Sequence, residues 1–397
     1  MSDPGPIAIV GAGIGGLAMA VLLAGRDREF TLYDRFDTPR AVGSGLVIQP
    51  VGQAVLDQIG AGEAARALGQ PITRMTGRET GQGRVVLDVH YARRGDDRYG
   101  LAIHRASLFQ ALFDRFLRSG GTITTSAEVA GSHLDPSGRW LTFADDSTAG
   151  PFALVIDASG ARSRLSPLRD RPLGYGAIWG TVPWPGGTAL PIDALTQRYH
   201  RASRMAGILP IGRLTDDATP LAAIFWSLPV RAFDEWRTRP IADWKAEATA
   251  FWPDFAPFLD HIRDHGDMVA SRYAHGTLAR PYDRRIAYVG DAAHRASPQL
   301  GQGANMALLD ALALAEALQG DHDDPLAAYA AMRRWHVRIY QTMSWAFTPQ
   351  YQSDSRILPW LRDRVMMPLS RMPPVPGILT RLVGGDLIPP LAGTAFP

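Results

Sequence analysis

The sequence predicts a mixed α/β fold in which a discontinuous parallel-sheet domain carries an inserted antiparallel sheet. Three observations indicate this fold. A buried-strand pattern, Ile7–Val10, runs directly into the glycine-rich segment 11–16 and then a helix. A later strand ends in Gly290-Asp291 and is followed by a second glycine-rich helix start at 301–305. Between these units, residues 172–269 alternate in the manner of antiparallel strands.

Composition describes an ordinary globular chain. Its 397 residues suffice for two packed cores, and 46% of them are hydrophobic and 20% charged. A net charge of +2 gives little reason to expect nucleic acid as a partner. The absence of cysteine excludes disulfides, thiolate metal sites and thiol nucleophiles. Lys245 is the only lysine, so Schiff-base chemistry has one candidate residue.

Targeting and metal signals are also weak. Residues 1–6 carry no basic-then-apolar leader, and no apolar run reaches the roughly 18 residues needed to span a bilayer. We therefore expect a cytoplasmic protein without a transmembrane segment. His261 and His265 have the spacing of helix neighbours but lack the glutamate of a zinc motif, so no metal site is expected.

The N-terminal glycines have the arrangement of a dinucleotide-binding turn. In that pattern Gly11 permits the tight turn, Gly13 lets the backbone approach a pyrophosphate, and Gly16 lets helix and strand pack closely. A second strand, predicted over 29–33, ends in Asp34, an acid placed to bind ribose hydroxyls. No other glycine motif follows a strand in this way. The sequence therefore predicts one stably bound dinucleotide, and a second nucleotide would bind only transiently.

The late segment supplies a complementary half of such a site. Asp291 follows a buried strand, and the glycines at 301 and 303 open a helix whose first N–H groups are free. A carboxylate beside free N–H groups suits a ligand with sugar hydroxyls at one end and developing negative charge at the other. A flavin nucleotide is such a ligand.

The remaining elements follow from periodicity and turn signals. Predicted helices span 105–116, 242–265, 306–318, 325–347 and 362–367. Predicted strands span 122–126, 140–144, 152–156, 177–182, 205–210, 222–228 and 285–289.

These motifs, in this order, resemble the group A flavoprotein monooxygenases, the single-component aromatic hydroxylases of the para-hydroxybenzoate hydroxylase type. The resemblance rests on GAGIGG, Arg105 at a helix start, Asp157-Ala158-Ser159-Gly160, and GDAAH followed by GQGAN, and it covers roughly residues 5–345. It implies a Rossmann-like FAD-binding domain formed by 1–72, 98–171 and 270–345. It also implies a substrate domain formed by 73–97 and 172–269, and a helical tail over 346–397.

The resemblance also implies a role for individual residues. Gly11, Gly13 and Gly16 cradle the FAD pyrophosphate, Asp34 binds the adenosine ribose, and Val129 lies where a backbone group meets adenine. Arg105 reaches the phosphate or ribityl region, Asp291 binds the ribityl chain, and the peptides of Gly301, Gly303, Ala304 and Asn305 lie against the flavin ring. Arg35 and Gly45 complete the predicted cofactor contacts, and Gln49 is a possible active-site side chain.

The implied activity is monooxygenation. FAD, held non-covalently, is reduced by a transiently bound NAD(P)H, and O₂ forms a flavin C4a-hydroperoxide that hydroxylates an aromatic or other electron-rich small molecule. The expected partners are small molecules, and the chain is a monomer or homodimer. Two alternatives remain: a flavin-dependent halogenase or isoprenoid-chain reductase on the same scaffold, and a non-catalytic FAD-binding protein.

Three positions depart from the family pattern. Ser159 stands before Gly160 where the family has aspartate, a motif that helps to hold the flavin and the visiting nicotinamide nucleotide. Asp34 replaces the more usual glutamate, and Val51 replaces asparagine. His294 is expected to support its turn rather than to act as an acid or base.

Overall fold

The computed structural model describes residues 5–38, 44–92, 97–393 and 396. Residues 1–4 and 39–43 of the predicted FAD-binding domain and residues 93–96 of the predicted substrate domain lie outside this range.

The strands of the described chain are, in order, β1 (Ile7–Val10), β2 (Phe30–Tyr33), β3 (Gly45–Ile48), β4 (Gln70–Ile72), β5 (Arg74–Glu79), β6 (Val85–His90), β7 (Gly100–His104), β8 (Ile123–Thr124), β9 (Val129–Leu134), β10 (Arg139–Phe143), β11 (Thr148–Phe152), β12 (Leu154–Asp157), β13 (Arg171–Pro183), β14 (Ala194–His200), β15 (Arg204–Pro210), β16 (Leu221–Pro229), β17 (Met268–Thr277), β18 (Tyr282–Asp283), β19 (Ile286–Tyr288) and β20 (His294–Arg295). The α-helices are α1 (Ile14–Ala24), α2 (Pro50–Gln58), α3 (Gly62–Leu68), α4 (Arg105–Arg118), α5 (Phe233–Thr238), α6 (Ile241–Phe251), α7 (Ala256–Leu259), α8 (Gly303–Gln319), α9 (Pro325–Tyr351), α10 (Ile357–Leu361), α11 (Met367–Ser370) and α12 (Val375–Gly384).

A six-stranded sheet brings the two ends of the predicted cofactor site together. Its order is β18-β19-β12-β1-β2-β8, and all pairs except β18-β19 are parallel. Every residue of β1 is buried because helices and other strands cover both of its faces. Since β1 and β19 both flank β12, their carboxyl ends meet at one edge, and with them the glycine turn and Asp291.

An eight-stranded sheet forms the second layer, as predicted for the inserted region. Its order is β20-β17-β13-β16-β15-β14-β5-β6, and only β14 and β5 run parallel. One face packs on α5, α6 and α7 through a tryptophan-rich core that includes Trp226, Trp244 and Trp252. The other face, which includes Leu209, Ala223 and Phe225, packs towards β3 and the parallel-sheet half.

Several predicted boundaries were wrong, each for a local reason. The helix predicted over 242–265 ends at Phe251, because Pro253 and Pro257 interrupt it and leave only short turns and α7 beyond. The strand predicted over 152–156 is two strands of different sheets, with Phe152 ending β11 and Leu154 beginning β12. The strand predicted over 122–126 is reduced to β8.

The C-terminal helices are longer than the tail helix that was predicted. Helices α10 and α11 are joined by one π-helical stretch, Arg362–Met366, so helical structure runs from residue 357 to 370 rather than from 362 to 367. The predicted domain boundary at 269/270 falls inside β17, which belongs to the antiparallel sheet. Within the described ranges, no helix combines the length and the apolar character needed to cross a membrane.

Candidate cofactor and active site

The three glycines of the N-terminal turn differ in how closely other atoms approach them. Gly11 has a φ of +98°, and a Cβ there would lie 2.7 Å from the Cα of Ser159. A Cβ on Gly16 would lie 1.8 Å from the carbonyl oxygen of Gly11. Gly13, by contrast, has no atom within 4 Å of a Cβ position. Packing therefore explains Gly11 and Gly16, whereas Gly13 faces open space at the N-terminus of α1, where an anion is favoured.

The predicted adenosine end forms one recess. Gly11, Asp34, Arg35 and Val129 line it together. The Asp34 carboxylate accepts hydrogen bonds from the N–H groups of Ala12 (2.7 Å) and Phe36 (2.9 Å). These bonds fix the acid at the end of β2 with its edge in the recess, as a ribose-binding carboxylate requires.

Ser159, the departure from the family pattern, is hydrogen-bonded to Asp157. Asp157 is fully buried at the end of β12, and its carboxylate accepts hydrogen bonds from the hydroxyls of Ser159 (2.5 Å) and Ser163. Burial raises the pKa of Asp157, and these hydroxyls oppose the shift. Ser159 lines the recess and Asp157 does not, so the Asp157 carboxylate contributes there through the Ser159 hydroxyl.

The second glycine-rich segment forms a left-handed turn and a helix start. Gly301 has a φ of +60°, which favours glycine, and α8 begins at Gly303. A Cβ on Gly303 would meet no atom within 4 Å, so this helix N-terminus is also open. The backbone N–H groups of Gly303, Ala304 and Asn305 lie in the first turn, where a helix provides no acceptor for them.

The Asn305 side chain has a role that the sequence did not indicate. It is fully buried, accepts a hydrogen bond from the Gln49 N–H at 2.8 Å, and donates to the carbonyls of Gly301 (2.9 Å) and Val47 (3.2 Å). It thereby ties the end of β3 to the turn before α8. Two predicted flavin-lining segments are held in register by this amide.

Arg105 and Asp291 are far apart in sequence but close enough in the structure for their charges to interact. Arg105 begins α4, and its N–H donates to the Ser44 carbonyl at 3.1 Å. Its side chain reaches solvent, yet surrounding protein lowers the pKa of the guanidinium, and the charge of Asp291 opposes that shift. Asp291 itself is exposed. It faces the open cleft.

Gly45 begins β3, and Gln49 follows the end of this strand as the N-cap of α2. Gln49 is 1% exposed, and its side-chain oxygen is a buried acceptor without a hydrogen-bond partner among the described residues. A buried polar atom of this kind normally has a partner, so a ligand or water is expected beside it. A Cβ on Gly45 would lie 2.2 Å from Ile211 Cγ2, so contact with the antiparallel sheet explains this glycine.

A buried ion network supports the Gly290-Asp291 turn. The Asp310 carboxylate accepts from the Gly290 N–H (2.9 Å) and Arg333 Nε (2.7 Å), and lies 2.7 Å from His294 Nε2. Burial raises the pKa of Asp310, but His294 and Arg333 outweigh this effect and hold it well below its usual range. His294 thus supports the turn, as predicted. Asp310 and Arg333 were missed; the signal was an acid within the apolar stretch 306–318.

An aromatic group lies on the face of the antiparallel sheet that packs towards β3. Thr181 lies 3.0 Å, hydroxyl to hydroxyl, from Ser44 beside β3, and Trp179, two residues earlier on β13, shares that face. Trp179 packs against Phe225 at 4.6 Å between ring centroids and donates its indole N–H to the Tyr273 hydroxyl at 2.8 Å. Sequence reasoning gave no means of choosing these three among the many aromatics of the inserted region.

Comparisons with known proteins agree with this architecture. Two family profiles match: an FAD binding domain over residues 260–340 and an NAD(P)-binding Rossmann-like domain over residues 9–41. A kynurenine 3-monooxygenase of Xanthomonas euvesicatoria pv. vesicatoria is 30% identical over 356 residues, covering 83% of this chain and 75% of that protein. A ubiquinone hydroxylase of Rhodospirillum rubrum is 26% identical over 401 residues, covering 96% and 90%. The structure of Klebsiella pneumoniae HpxO complexed with FAD and uric acid has the same fold, with a TM-score of 0.78 at 22% identity and coverage of 96% and 98%.

Proposed function

This chain belongs to the FAD-dependent aromatic monooxygenases of the para-hydroxybenzoate hydroxylase type, and from that membership we propose how its cleft holds cofactor and substrate. The enzyme hydroxylates an aromatic or other electron-rich small molecule, with FAD as cofactor and NAD(P)H as electron donor. What remains to be assigned is which residues perform each part of the work.

We propose that FAD lies across the carboxyl edge of the parallel sheet, from the recess at Asp34 to the turn at Gly301. The adenosine occupies the recess that Asp34 and Val129 line, and the pyrophosphate lies beside Gly13. The open Cβ positions at Gly13 and Gly303 and the orphaned oxygen of Gln49 fit such a ligand. The observation that carries the assignment is the order β19-β12-β1 in the parallel sheet, because it brings the glycine turn after β1 and the Gly290-Asp291 turn after β19 to one edge.

The chain's own contribution to the chemistry is positioning and electrostatics. Bound FAD supplies electron transfer from NAD(P)H and the activation of O₂. The N-terminus of α8 stabilises negative charge placed against it by about 0.3–2 kcal/mol. Asn305 and Asp310 hold the two turns that face the ligand, so these donors are oriented before the ligand binds.

We propose that the substrate lies between β3 and the antiparallel sheet, against Trp179, Phe225 and Tyr273. An aromatic substrate gains from stacked or edge-on contacts with such rings, each worth about 0.5–1.5 kcal/mol beyond its buried area. The relatives' names specify a kynurenine and a ubiquinone compound, and the structural neighbour was crystallised with uric acid. All carry conjugated rings, so we infer a conjugated-ring substrate for this enzyme.

The test is turnover by the purified, FAD-loaded chain. NADH and NADPH oxidation is followed with a panel of hydroxylated, amino-substituted and nitrogen-containing aromatics, with product and peroxide measured separately. We expect at least one compound to accelerate flavin reduction and to be recovered with one added oxygen. Absence of flavin reduction with every donor and every compound would instead support a non-catalytic FAD-binding protein. Halogenated product formed in the presence of chloride would support the halogenase alternative.

A variant links this activity to the proposed site. Asp291→Asn removes a charged acceptor from the cleft and should weaken FAD binding about tenfold, the effect of losing one charged hydrogen bond. The matched control is Asp260→Asn, a second exposed carboxylate that lies outside the cleft. Equal FAD affinity in the two variants would contradict the assignment of Asp291 without contradicting the activity.

A further inference from the structure

The C-terminal helical stretch presents its apolar face to solvent. Across α10, the π-helical stretch and α11, five apolar residues recur at helical spacing and are all exposed; this apolar stripe consists of Ile357, Trp360, Leu361, Val365 and Leu369. Ile357 is 75% exposed, Trp360 60% and Leu369 51%. Met372 continues the stripe just beyond α11. A surface helix of a globular protein normally has the opposite arrangement, with polar residues outward.

The opposite face of the same helical stretch packs on the rest of the molecule. Pro359, Arg362 and Met367 are buried, so the helices pack on the molecule without using the stripe. The buried guanidinium of Arg362 is paired with Asp363 at 2.6 Å and donates to the Gln350 carbonyl at 2.8 Å. The stripe is therefore not a core surface turned outward by a shift of the helix. It is a second apolar face with nothing packed on it among the described residues.

Charge around the stripe is positive. Arg356, Arg364 and Arg371 are exposed at its start, middle and end. Asp363 is the one acidic residue between residues 356 and 372, and its carboxylate accepts a hydrogen bond from Arg362. Trp345, 69% exposed, adds a further aromatic from α9, the helix against which α10 packs. Tryptophan and aliphatic side chains flanked by arginine are the composition of helices that lie in the headgroup region of a bilayer.

We propose that this face, formed by the apolar stripe and its three flanking arginines, binds the surface of a membrane containing anionic lipids. The helix lies parallel to the surface, with the stripe among the acyl-chain ends and the arginines at the phosphates. A second copy of the chain fits this face less well. In a two-fold pairing the arginines of both copies would approach one another, and the stripe offers no free carboxylate to neutralise them.

The proposal is tested with the full-length, FAD-loaded enzyme and two kinds of vesicle. One is phosphatidylcholine alone, and the other contains phosphatidylglycerol at about one lipid in three. We expect the enzyme to sediment with the anionic vesicles and to remain largely in solution with the neutral ones. Enzyme that stays in the supernatant with both would overturn the proposal.

Two variants separate the apolar and the charged contributions. Trp360→Glu/Leu369→Glu should reduce partitioning at least tenfold, and Arg364→Gln/Arg371→Gln should reduce it roughly 30-fold on anionic vesicles only. The matched control is Leu117→Glu on α4, a residue 49% exposed and remote from the stripe in sequence; it should partition as the parent does. FAD content and the midpoint of thermal unfolding verify that each variant is folded.

Light scattering tests the competing possibility that a second copy of the chain covers the stripe. If Trp360→Glu/Leu369→Glu converts a dimer to a monomer while the parent binds neither vesicle, the stripe is an interface between copies and the membrane proposal is wrong. If the double variant partitions as well as the parent, the stripe is not the binding surface and the proposal is wrong for a different reason.

Discussion

At the scale of single residues, Asp310 is the side chain whose loss should most affect the turn beside the cleft. It joins the turn before Asp291 to α8 and, through Arg333, to α9. Asp310→Asn leaves the buried Arg333 guanidinium without its counter-ion, a change that typically costs about 3–5 kcal/mol. We expect this loss in the free energy of unfolding from urea titration, together with weaker FAD binding because Gly290 loses a charged acceptor.

The control for this prediction is Asp323→Asn, because Asp323 is an exposed carboxylate just beyond the same helix. It should leave unfolding and FAD affinity within about 0.5 kcal/mol of the parent, as surface substitutions usually do. If Asp310→Asn is equally mild, the network contributes nothing to the turn, and the low pKa of Asp310 has no consequence for the cleft.

At the scale of elements, substitutions in the glycine turn between β1 and α1 should distinguish an effect on folding from an effect on cofactor binding. Gly16→Ala places a Cβ against the Gly11 carbonyl and should destabilise the apoprotein. Gly13→Ala meets no protein atom, and because Gly13 is the N-cap of α1 the apoprotein should lose only about 0.5 kcal/mol of stability, the difference between glycine and alanine at this position. Its methyl group would nevertheless occupy the proposed pyrophosphate space, and we expect FAD affinity to fall at least about tenfold, or 1.4 kcal/mol.

The measurement is FAD titration of both apoproteins alongside their melting curves. Gly174→Ala serves as control, because a Cβ there also meets nothing within 4 Å and Gly174 lies in β13, outside the turn. Unchanged FAD affinity in Gly13→Ala would place the pyrophosphate elsewhere.

The same elements show what the sequence could predict. Strand, turn and helix at 7–24 and 286–319 were predicted because glycine, acid and apolar periodicity are local signals. Asn305 and Arg333 act across long sequence separations, so no local pattern indicates their partners. For the apolar C-terminal tail the sequence left three interpretations open, namely packing on the domain, a dimer contact or a membrane surface, and packing was favoured, whereas the stripe is exposed. Periodicity identifies an apolar face but does not say whether protein covers it.

At the scale of the whole molecule, the C-terminal tail is held to the cofactor half through α9. Arg333 Nη1 donates to the Pro390 carbonyl at 2.6 Å, the Tyr340 hydroxyl donates to the Leu382 carbonyl at 3.0 Å, and His336 Nε2 lies 2.7 Å from the Gly385 carbonyl. His336 is buried between these segments, and burial together with the neighbouring Arg333 lowers its pKa to about 3.

This shift predicts a pH dependence of stability with a definite sign. In the unfolded chain a histidine takes up a proton near pH 6.5, whereas folded His336 remains neutral down to about pH 3. Between these values the unfolded state binds more protons, so stability decreases as pH falls. We expect His336 to account for a loss of roughly 2 kcal/mol in the free energy of unfolding between pH 7 and pH 5.

His336→Asn, which keeps a donor and an acceptor, should unfold with a correspondingly smaller pH dependence. His322→Asn alters an exposed histidine and should retain the parent's dependence. Parallel pH profiles for the parent and His336→Asn would show that the tail is not held through a neutral, buried His336.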